Sequence, residues 1–138
     1  APLSRRSTRH RFLDGALVAL RKMLHRLTAP VSELDREELR EWCERVPGAT
    51  TVEQAQARQE VTVAGEITFL RIVPRPDGSP WLEATIADGT GSLVVMWTGR
   101  RSIAGIRGGQ RIVVTGRGAN TGPGGRLLIY NPRYELLP

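Results

Sequence analysis

The spacing of apolar residues changes near residue 59 of this 138-residue chain. Before that point, apolar residues recur every three or four positions, which is the period of an amphipathic α-helix. After it, apolar and polar residues alternate, as they do in a strand with one buried face. The pattern therefore predicts a helical segment over residues 12–58 and a set of strands over residues 59–138.

Two helices are predicted in the helical segment, after an arm (residues 1–11) that has no apolar period and is expected to be disordered. The first helix ends before Pro30, because proline disfavours helical backbone in the preceding residue. The second, SELDREELREWCERV, begins at the N-cap candidate Ser32 and stops at the PGA of residues 47–49. Residues 50–58 fit a linker or a short helix. The apolar faces are Leu13, Ala16, Leu17, Leu20, Leu24 and Leu27 in the first helix, and Leu34, Leu39, Trp42, Cys43 and Val46 in the second.

Five strands are predicted after residue 59. Gly65 interrupts the first, as expected of a bulge or a sharp bend. The fifth, LLIYNPRYELL, contains Pro132, which indicates a sheet edge because proline has no N–H for the ladder. The side chains expected to point inward are Val61, Val63, Ile67 and Phe69, then Leu82, Ala84 and Ile86, then Leu93, Val95 and Trp97, then Ile112 and Val114, and finally Leu127 and Ile129.

The strand spacing restricts the fold class. The connections leave no room for a helix between every pair of strands, which excludes a parallel α/β sheet. A long bent first strand and a long connection between the third and fourth strands favour an oligonucleotide/oligosaccharide-binding (OB) barrel. The prediction is an α+β, mainly β protein: a five-stranded Greek-key OB barrel preceded by a segment of two helices. An SH3-like barrel is the alternative.

Three spaced motifs resemble the anticodon-binding-like OB-fold family: VTVAGEI (61–67), ADGTGSLVVMW (87–97) and GQRIVVTGR (109–117). Over roughly residues 12–137 the chain also resembles small actinobacterial OB-fold nucleic-acid-binding domain proteins. That second likeness rests on LDREELRE (34–41), WTGRRSIAGI (97–106) and YNPRYEL (130–136). The resemblance implies an OB barrel and a nucleic-acid function, with no defined reaction.

The charge of the chain is positive and unevenly distributed. The net charge is +6, and all 20 basic residues except Lys22 are arginines. It divides into +6 over residues 1–26, −4 over residues 27–60 and +4 over residues 61–138. Arginine suits phosphate because its guanidinium binds in a planar, bidentate manner, although a GC-rich genome would also favour arginine.

Few residues are available for catalysis or for metal binding. Cys43 is the single cysteine, and His10 and His25 are the only histidines, so no cofactor or metal is expected. Asp77, Glu83 and Asp88 form no recognisable acid–base arrangement, so we expect no enzyme. No apolar run is long enough to cross a membrane, and a reducing cytoplasm is the expected compartment.

The DGTG sequence of residues 88–91 is interpreted as a hairpin turn. A P-loop would need a lysine and a following helix, and an EF-hand would need several acidic residues. Glycine and aspartate are instead typical of a tight turn, because glycine tolerates positive φ and the carboxylate caps nearby N–H groups. The turn would set the register of the second and third strands.

Arginines near the expected OB binding face, with two aromatic residues, are the candidate ligand contacts. Trp81 is the first stacking candidate, unless it packs against the N-terminal helices, and Tyr130 is a weaker one. Trp97 is expected in the core, and Glu83 on the binding face is expected to repel phosphate. The candidate arginines are Arg71 and Arg75 in the first loop, Arg100 and Arg101 after the third strand, and Arg117 and Arg126 at the loop before the fifth strand. The candidate aromatic residues are Trp81 on the second strand and Tyr130 on the fifth.

The leading hypothesis is a non-catalytic OB module that binds single-stranded DNA or RNA weakly and with little sequence preference. The basic arm around Arg5 and Arg11 would add non-specific attraction. The alternative is a protein-interaction or oligomerisation module, with a homo-oligomer or protein partner bound through the N-terminal helices. A third hypothesis places helix 12–27 on a membrane surface, although no membrane partner is expected.

Overall fold

A computed structural model describes the backbone of residues 31–138 and the side chains of residues 34–138. The chain divides into two compact units, Ala1–Arg36 and Glu37–Pro138, and of the first unit only the start of a helix is described. The predicted arm and the predicted first helix lie outside the described residues. The boundaries predicted at residues 11 and 58 stay predictions.

The described residues form one α-helix, a short 3₁₀ helix (Pro123–Gly125) and six strands, and the strands are joined in one sheet. In chain order the α-helix and the strands are α1 (Val31–Glu44), β1 (Glu60–Pro74), β2 (Pro80–Ala87), β3 (Ser92–Thr98), β4 (Arg111–Ala119), β5 (Leu128–Tyr130) and β6 (Arg133–Leu137).

Helix α1 confirms the predicted second helix, although it begins at Val31 and not after Ser32. Leu39 and Cys43 are buried on its inner face, where they pack with Ala64 of β1. Trp42 lies beside them, and the guanidinium of Arg111 in β4 sits 4.5 Å from the centroid of its ring. The part of the predicted apolar face formed by Leu39, Trp42, Cys43 and Val46 therefore lies against the outer side of β1 and β4.

The strands form a closed ring because β1 has two partners. Its first half pairs antiparallel with β4, and its second half pairs antiparallel with β2. β2 then pairs with β3, β3 pairs in parallel with β5, and β5 pairs with β4, which completes the ring. The architecture is thus mainly β, as predicted, whereas the Greek-key order stays a prediction.

The predicted fifth strand is two strands in the structure. β5 ends at Tyr130, Asn131 adopts a left-handed conformation with φ of 46°, and Pro132 follows. The chain resumes as β6, which pairs with β4 and not with β3. Pro132 therefore marks a break between two strands, because it cannot donate to a ladder.

The interior of the ring is filled by the side chains that strand alternation predicted. Ile67, Ile86, Leu93, Ile112 and Ile129 are fully buried there. The other predicted inward residues are also in this core, with Leu127 partly buried: Val61, Val63, Leu82, Ala84, Val95, Trp97 and Val114. Trp97 is confirmed as a core residue, and its ring meets Tyr134 edge-on with centroids 5.8 Å apart.

The prediction for Phe69 is wrong, since its side chain is 57% exposed. The pairing of β1 with β2 shifts between Ile67 and Phe69, so Ile67 opposes Ile86 but Phe69 opposes Thr85. One extra residue in a strand moves every later side chain to the other face. The bulge therefore lies at Thr68, three residues after Gly65, where the sequence predicted a bulge or a sharp bend.

Gly65 has a different role, which is close approach between strands. A Cβ at this position would lie 2.6 Å from Cγ2 of Ile86 and 2.7 Å from the carbonyl oxygen of Ala87. The next residue, Glu66, pairs with both β4 and β2. A glycine is thus required where β1 passes from one neighbour to the other.

Gly65→Ala is expected to destabilise the fold by about 1–3 kcal/mol, because the new methyl group overlaps the β2 backbone, which cannot move away. Gly108→Ala is the matched control, since a Cβ there meets no atom within 4 Å. Urea unfolding of the two variants measures the difference. Equal midpoints would show that the strand crossing tolerates a side chain.

Candidate functional site

The DGTG sequence forms the turn between β2 and β3, as predicted, and its aspartate has a second role. Oδ1 of Asp88 accepts hydrogen bonds from the backbone N–H of Thr90 at 2.9 Å, the Thr90 hydroxyl at 2.7 Å and the backbone N–H of Gly91 at 3.2 Å. These contacts cap the turn. Asp88 is nevertheless only 1% exposed, which a simple surface turn does not require.

The second oxygen of Asp88 binds the segment that precedes the sheet. Oδ2 accepts the backbone N–H of Val52 at 2.8 Å, and the Thr90 hydroxyl accepts the N–H of Glu53 at 3.2 Å. Residues 50–58 contain turns and no assigned helix or strand. The segment is thus a linker, held against the β2–β3 turn by the Asp88 carboxylate.

The far end of this segment is held to β4. The backbone N–H of Arg58 donates to the carbonyl of Gly118 at 2.7 Å, and the N–H of Gly118 donates to the carbonyl of Gln59 at 3.1 Å. Arg58 adopts φ of 68°, which is uncommon for a residue with a side chain. This pairing places an arginine that the sequence analysis missed beside β4.

Trp81, Tyr130 and Arg75 meet on the outer face of the ring; we call these three residues the aromatic cluster. The two rings are edge-on, with centroids 6.0 Å apart. The guanidinium carbon of Arg75 lies 4.1 Å from the centroid of the Trp81 ring, within the range of a cation–π contact. Three predicted site residues, from the β1–β2 loop, β2 and β5, are therefore brought together.

The structure reverses the predicted ranking of Trp81 and Tyr130 as surfaces on which a base could stack. Trp81 is partly buried and packs on Val94, Met96 and Leu128, while Arg75 covers part of its ring. Tyr130 is 47% exposed at the end of β5. Tyr130 is thus the more accessible aromatic surface, which strand position alone did not indicate.

Glu83 and Arg71 form an ion pair beside the cluster. They are directly opposite in the register of β2 and β1, and Nε of Arg71 donates to Oε2 of Glu83 at 2.6 Å. Nη2 of Arg71 also donates to Oε1 of Glu83 at 3.4 Å. The Glu83 side chain is 5% exposed and that of Arg71 is 53% exposed. Arg71 lies on β1, not in the loop, and it offsets the charge of Glu83.

The remaining predicted arginines lie in three places. Arg100 and Arg101 are exposed and follow Thr98, the last residue of β3. Because Thr98 pairs with Trp81, these two arginines leave the sheet at the end where the aromatic cluster lies. Arg126 instead binds the carbonyl of Pro123 and approaches the Thr85 hydroxyl at 3.5 Å. Thr85 is four residues along β2 from Trp81, which is about 13 Å in a strand.

Arg117 lies in an open groove that Tyr130 also lines. The groove is formed by Arg58, Arg117, Gly118, Ala119, Asn120 and Tyr130. Tyr130 therefore belongs both to the aromatic cluster and to the lining of the groove. We call this continuous surface the Tyr130 surface: the aromatic cluster together with the groove.

The described residues offer little reactive chemistry. They contain no group of His, Cys, Asp and Glu side chains arranged to hold a metal ion. Burial, with a smaller contribution from the charge of Asp88, raises the pKa of the Cys43 thiol to about 12. Cys43 is therefore protonated at neutral pH and a poor nucleophile. None of the described helices is long and apolar enough to cross a membrane.

Comparison with solved structures supports an OB-like fold. A structure of RecG bound to a three-way DNA junction superposes with a TM-score of 0.54 at 19% sequence identity. The match covers 65% of this chain and 12% of the RecG chain, so the likeness is to a small part of that protein. No family model and no curated protein matches the sequence.

Asp88→Ala is expected to destabilise the protein by about 2–4 kcal/mol, because it removes the acceptor of three backbone N–H groups in a buried position. Urea unfolding measures the loss, and hydrogen exchange at Val52 reports release of the linker.

Asp77→Ala is the matched control for Asp88→Ala. The Ser79 hydroxyl and backbone N–H donate to Asp77, which lowers the pKa of this exposed carboxyl. It therefore caps a turn in the same way as Asp88 but binds no second segment, and its loss should be much the smaller. Equal losses would contradict the linker role of Asp88.

Proposed function

We propose that the protein binds single-stranded nucleic acid on the Tyr130 surface, without catalysing a reaction. The observation that carries the proposal is the Arg75–Trp81–Tyr130 cluster beside the Arg117 groove. Aromatic rings that stack bases, next to cations that contact phosphates, are the two components of single-strand binding. RecG, part of which shares this fold, has been solved with DNA.

The electrostatics of the surface support an anionic ligand. Arg100, Arg101 and Arg117 form no ion pair with any described carboxylate. The charge of Glu83, which was expected to repel phosphate, is offset by Arg71 at 2.6 Å. Guanidinium groups without an ion-pair partner, beside a carboxylate that is already paired, favour phosphate binding.

Stacking on Tyr130 requires no rearrangement, whereas stacking on the Arg75 side of Trp81 requires Arg75 to move. A cation–π contact at an exposed site is worth about 0.5–1 kcal/mol. Stacking of a base on an aromatic side chain is worth about 1–3 kcal/mol. Exchange of Arg75 for a base is therefore favourable, and the released guanidinium can contact the adjacent phosphate.

The surface favours weak binding with little sequence preference. It has two aromatic rings, and stacking accepts any base because every base has a π-face. Most of its other ligand groups are arginines, which contact phosphate more than base edges.

We propose a reducing cytoplasm as the compartment of the protein. The buried, protonated Cys43 thiol is compatible with that compartment.

A protein-interaction function is the second candidate. Phe69 and Ile72 on β1 are 57% and 45% exposed, although large apolar side chains are usually covered. Beyond Ile67, the only strand that pairs with β1 among the described residues is β2. This stretch of β1 thus offers both apolar side chains and a sheet edge to a partner.

Fluorescence anisotropy with a labelled oligothymidylate tests the nucleic-acid function. If about three phosphates are contacted, affinity should fall roughly 15- to 20-fold between about 50 and 200 mM salt. Tyr130→Ala should weaken binding by roughly fivefold or more, since it removes one stacking surface. Arg100→Ala with Arg101→Ala should also weaken it and reduce the salt dependence.

Arg45→Ala is the control, because Arg45 is an exposed arginine that follows α1 and belongs neither to the aromatic cluster nor to the groove lining. It should leave the affinity within about twofold of that of the unaltered protein. Absence of binding at low salt would exclude the nucleic-acid function. A concentration-dependent increase in mass by light scattering would then favour the interaction function.

Glu83→Gln is expected to tighten binding about twofold to fivefold at low salt, because it removes a carboxylate and frees the Arg71 charge for phosphate. Glu135→Gln, an exposed carboxylate on β6, is the matched control for the change in net charge. The same anisotropy titration measures both variants. An equal gain in both would attribute the effect to net charge and not to the ion pair.

A further inference from the structure

We infer that the bound strand continues from Tyr130 into the groove beside β4, where Arg58 and Arg117 hold a phosphate. The inference rests on the proposed function and specifies the path of the ligand. It assigns a binding role to the linker before the sheet, which supplies Arg58. The ligand class is a single strand that spans the ring from the aromatic cluster to the β4 side.

The groove has the size and openness that a passing strand requires. Its volume is about 400 Å³, in the lower part of the range of small-ligand pockets, and it opens to solvent. Gly118 forms part of its wall, and a Cβ there would lie 2.8 Å from Leu127. The absence of a side chain at Gly118 leaves room for the Leu127 side chain beside β4.

The two arginines that line the groove have no anionic partner among the described residues. Neither Arg58 nor Arg117 is in an ion pair with a described carboxylate. Glu60, which pairs with Arg117 in the strand register, places its carboxylate 3.4 Å from Arg133. Two cations that line one small groove repel each other, and an anion placed between them relieves that repulsion.

The backbone conformation of Arg58 does not favour an arginine at this position. We therefore attribute the presence of an arginine to its side chain. With φ of 68°, the site is one that glycine adopts more easily than any residue with a Cβ. Two hydrogen bonds to β4 hold the chain in this conformation. Strained backbone that is held by its surroundings is enriched at ligand sites.

Continuity with the aromatic cluster gives the direction of the path. Tyr130 meets Trp81 and also lines the groove. A base stacked on Tyr130 therefore has its backbone at the mouth of the groove, within reach of Arg117. Arg126 lies off this path, because it approaches Thr85, four residues along β2 from Trp81.

The variant Arg58→Gly separates binding from folding. It removes the guanidinium but relieves the positive φ, so the urea midpoint should be unchanged or higher. Affinity for a labelled twelve-nucleotide oligothymidylate should fall about fivefold, and the slope of log affinity against log salt should become shallower by about 0.7. Arg58→Lys should retain that slope, because it keeps the charge.

Arg117→Ala combined with Arg58→Gly should reduce the slope by about 1.4, since two phosphate-contacting cations are lost. Arg45→Ala serves again as the control. If Tyr130→Ala weakens binding while Arg58→Gly does not, the strand does not enter the groove and only this inference fails. A loss of affinity with an unchanged salt slope would also overturn the phosphate role. No binding by the unaltered protein would overturn both proposals.

Discussion

The double pairing of strand β1 is the constraint on which the rest of the structure depends. β1 pairs with β4 in its first half and with β2 in its second, and Glu66 belongs to both ladders. This arrangement joins the two ends of the sheet and encloses the fully buried side chains. The passage of β1 between its neighbours requires Gly65, because the backbone of β2 occupies the space of a side chain.

Closure of the ring also determines where ligand groups can meet. The β1–β2 loop, the end of β3 and the end of β5 all lie at one end of the outer face, since Trp81 pairs with Thr98 and Met96 pairs with Tyr130. Arg75, Trp81 and Tyr130 thus come from three elements that are far apart in sequence. The Asp88 carboxylate holds the preceding linker to the same ring through Val52. One compact scaffold therefore positions strand, loop and linker residues together.

Much of the core was predictable from the sequence, because strict alternation places Ile112 and Val114 on one face whatever the partner strand is. Phe69 was not predictable, since a bulge at Thr68 reverses the phase and no residue type marks it. The pairing of Arg71 with Glu83 depends on the register of β1 and β2, which the loop sequence does not specify. Arg58 becomes part of the surface only through hydrogen bonds with Gly118, about sixty residues away.

The position of Arg75 over Trp81 has a kinetic consequence. In the free protein this guanidinium occupies part of the ring that a base would use, so the competent form is a fraction of the population. Apparent affinity is reduced by that fraction, whereas exposed side chains change rotamer in picoseconds to nanoseconds. The exchange is far faster than diffusional encounter. Only that fraction of encounters meets an open ring, so occlusion of Trp81 lowers the apparent association rate constant and does not change the lifetime of the complex.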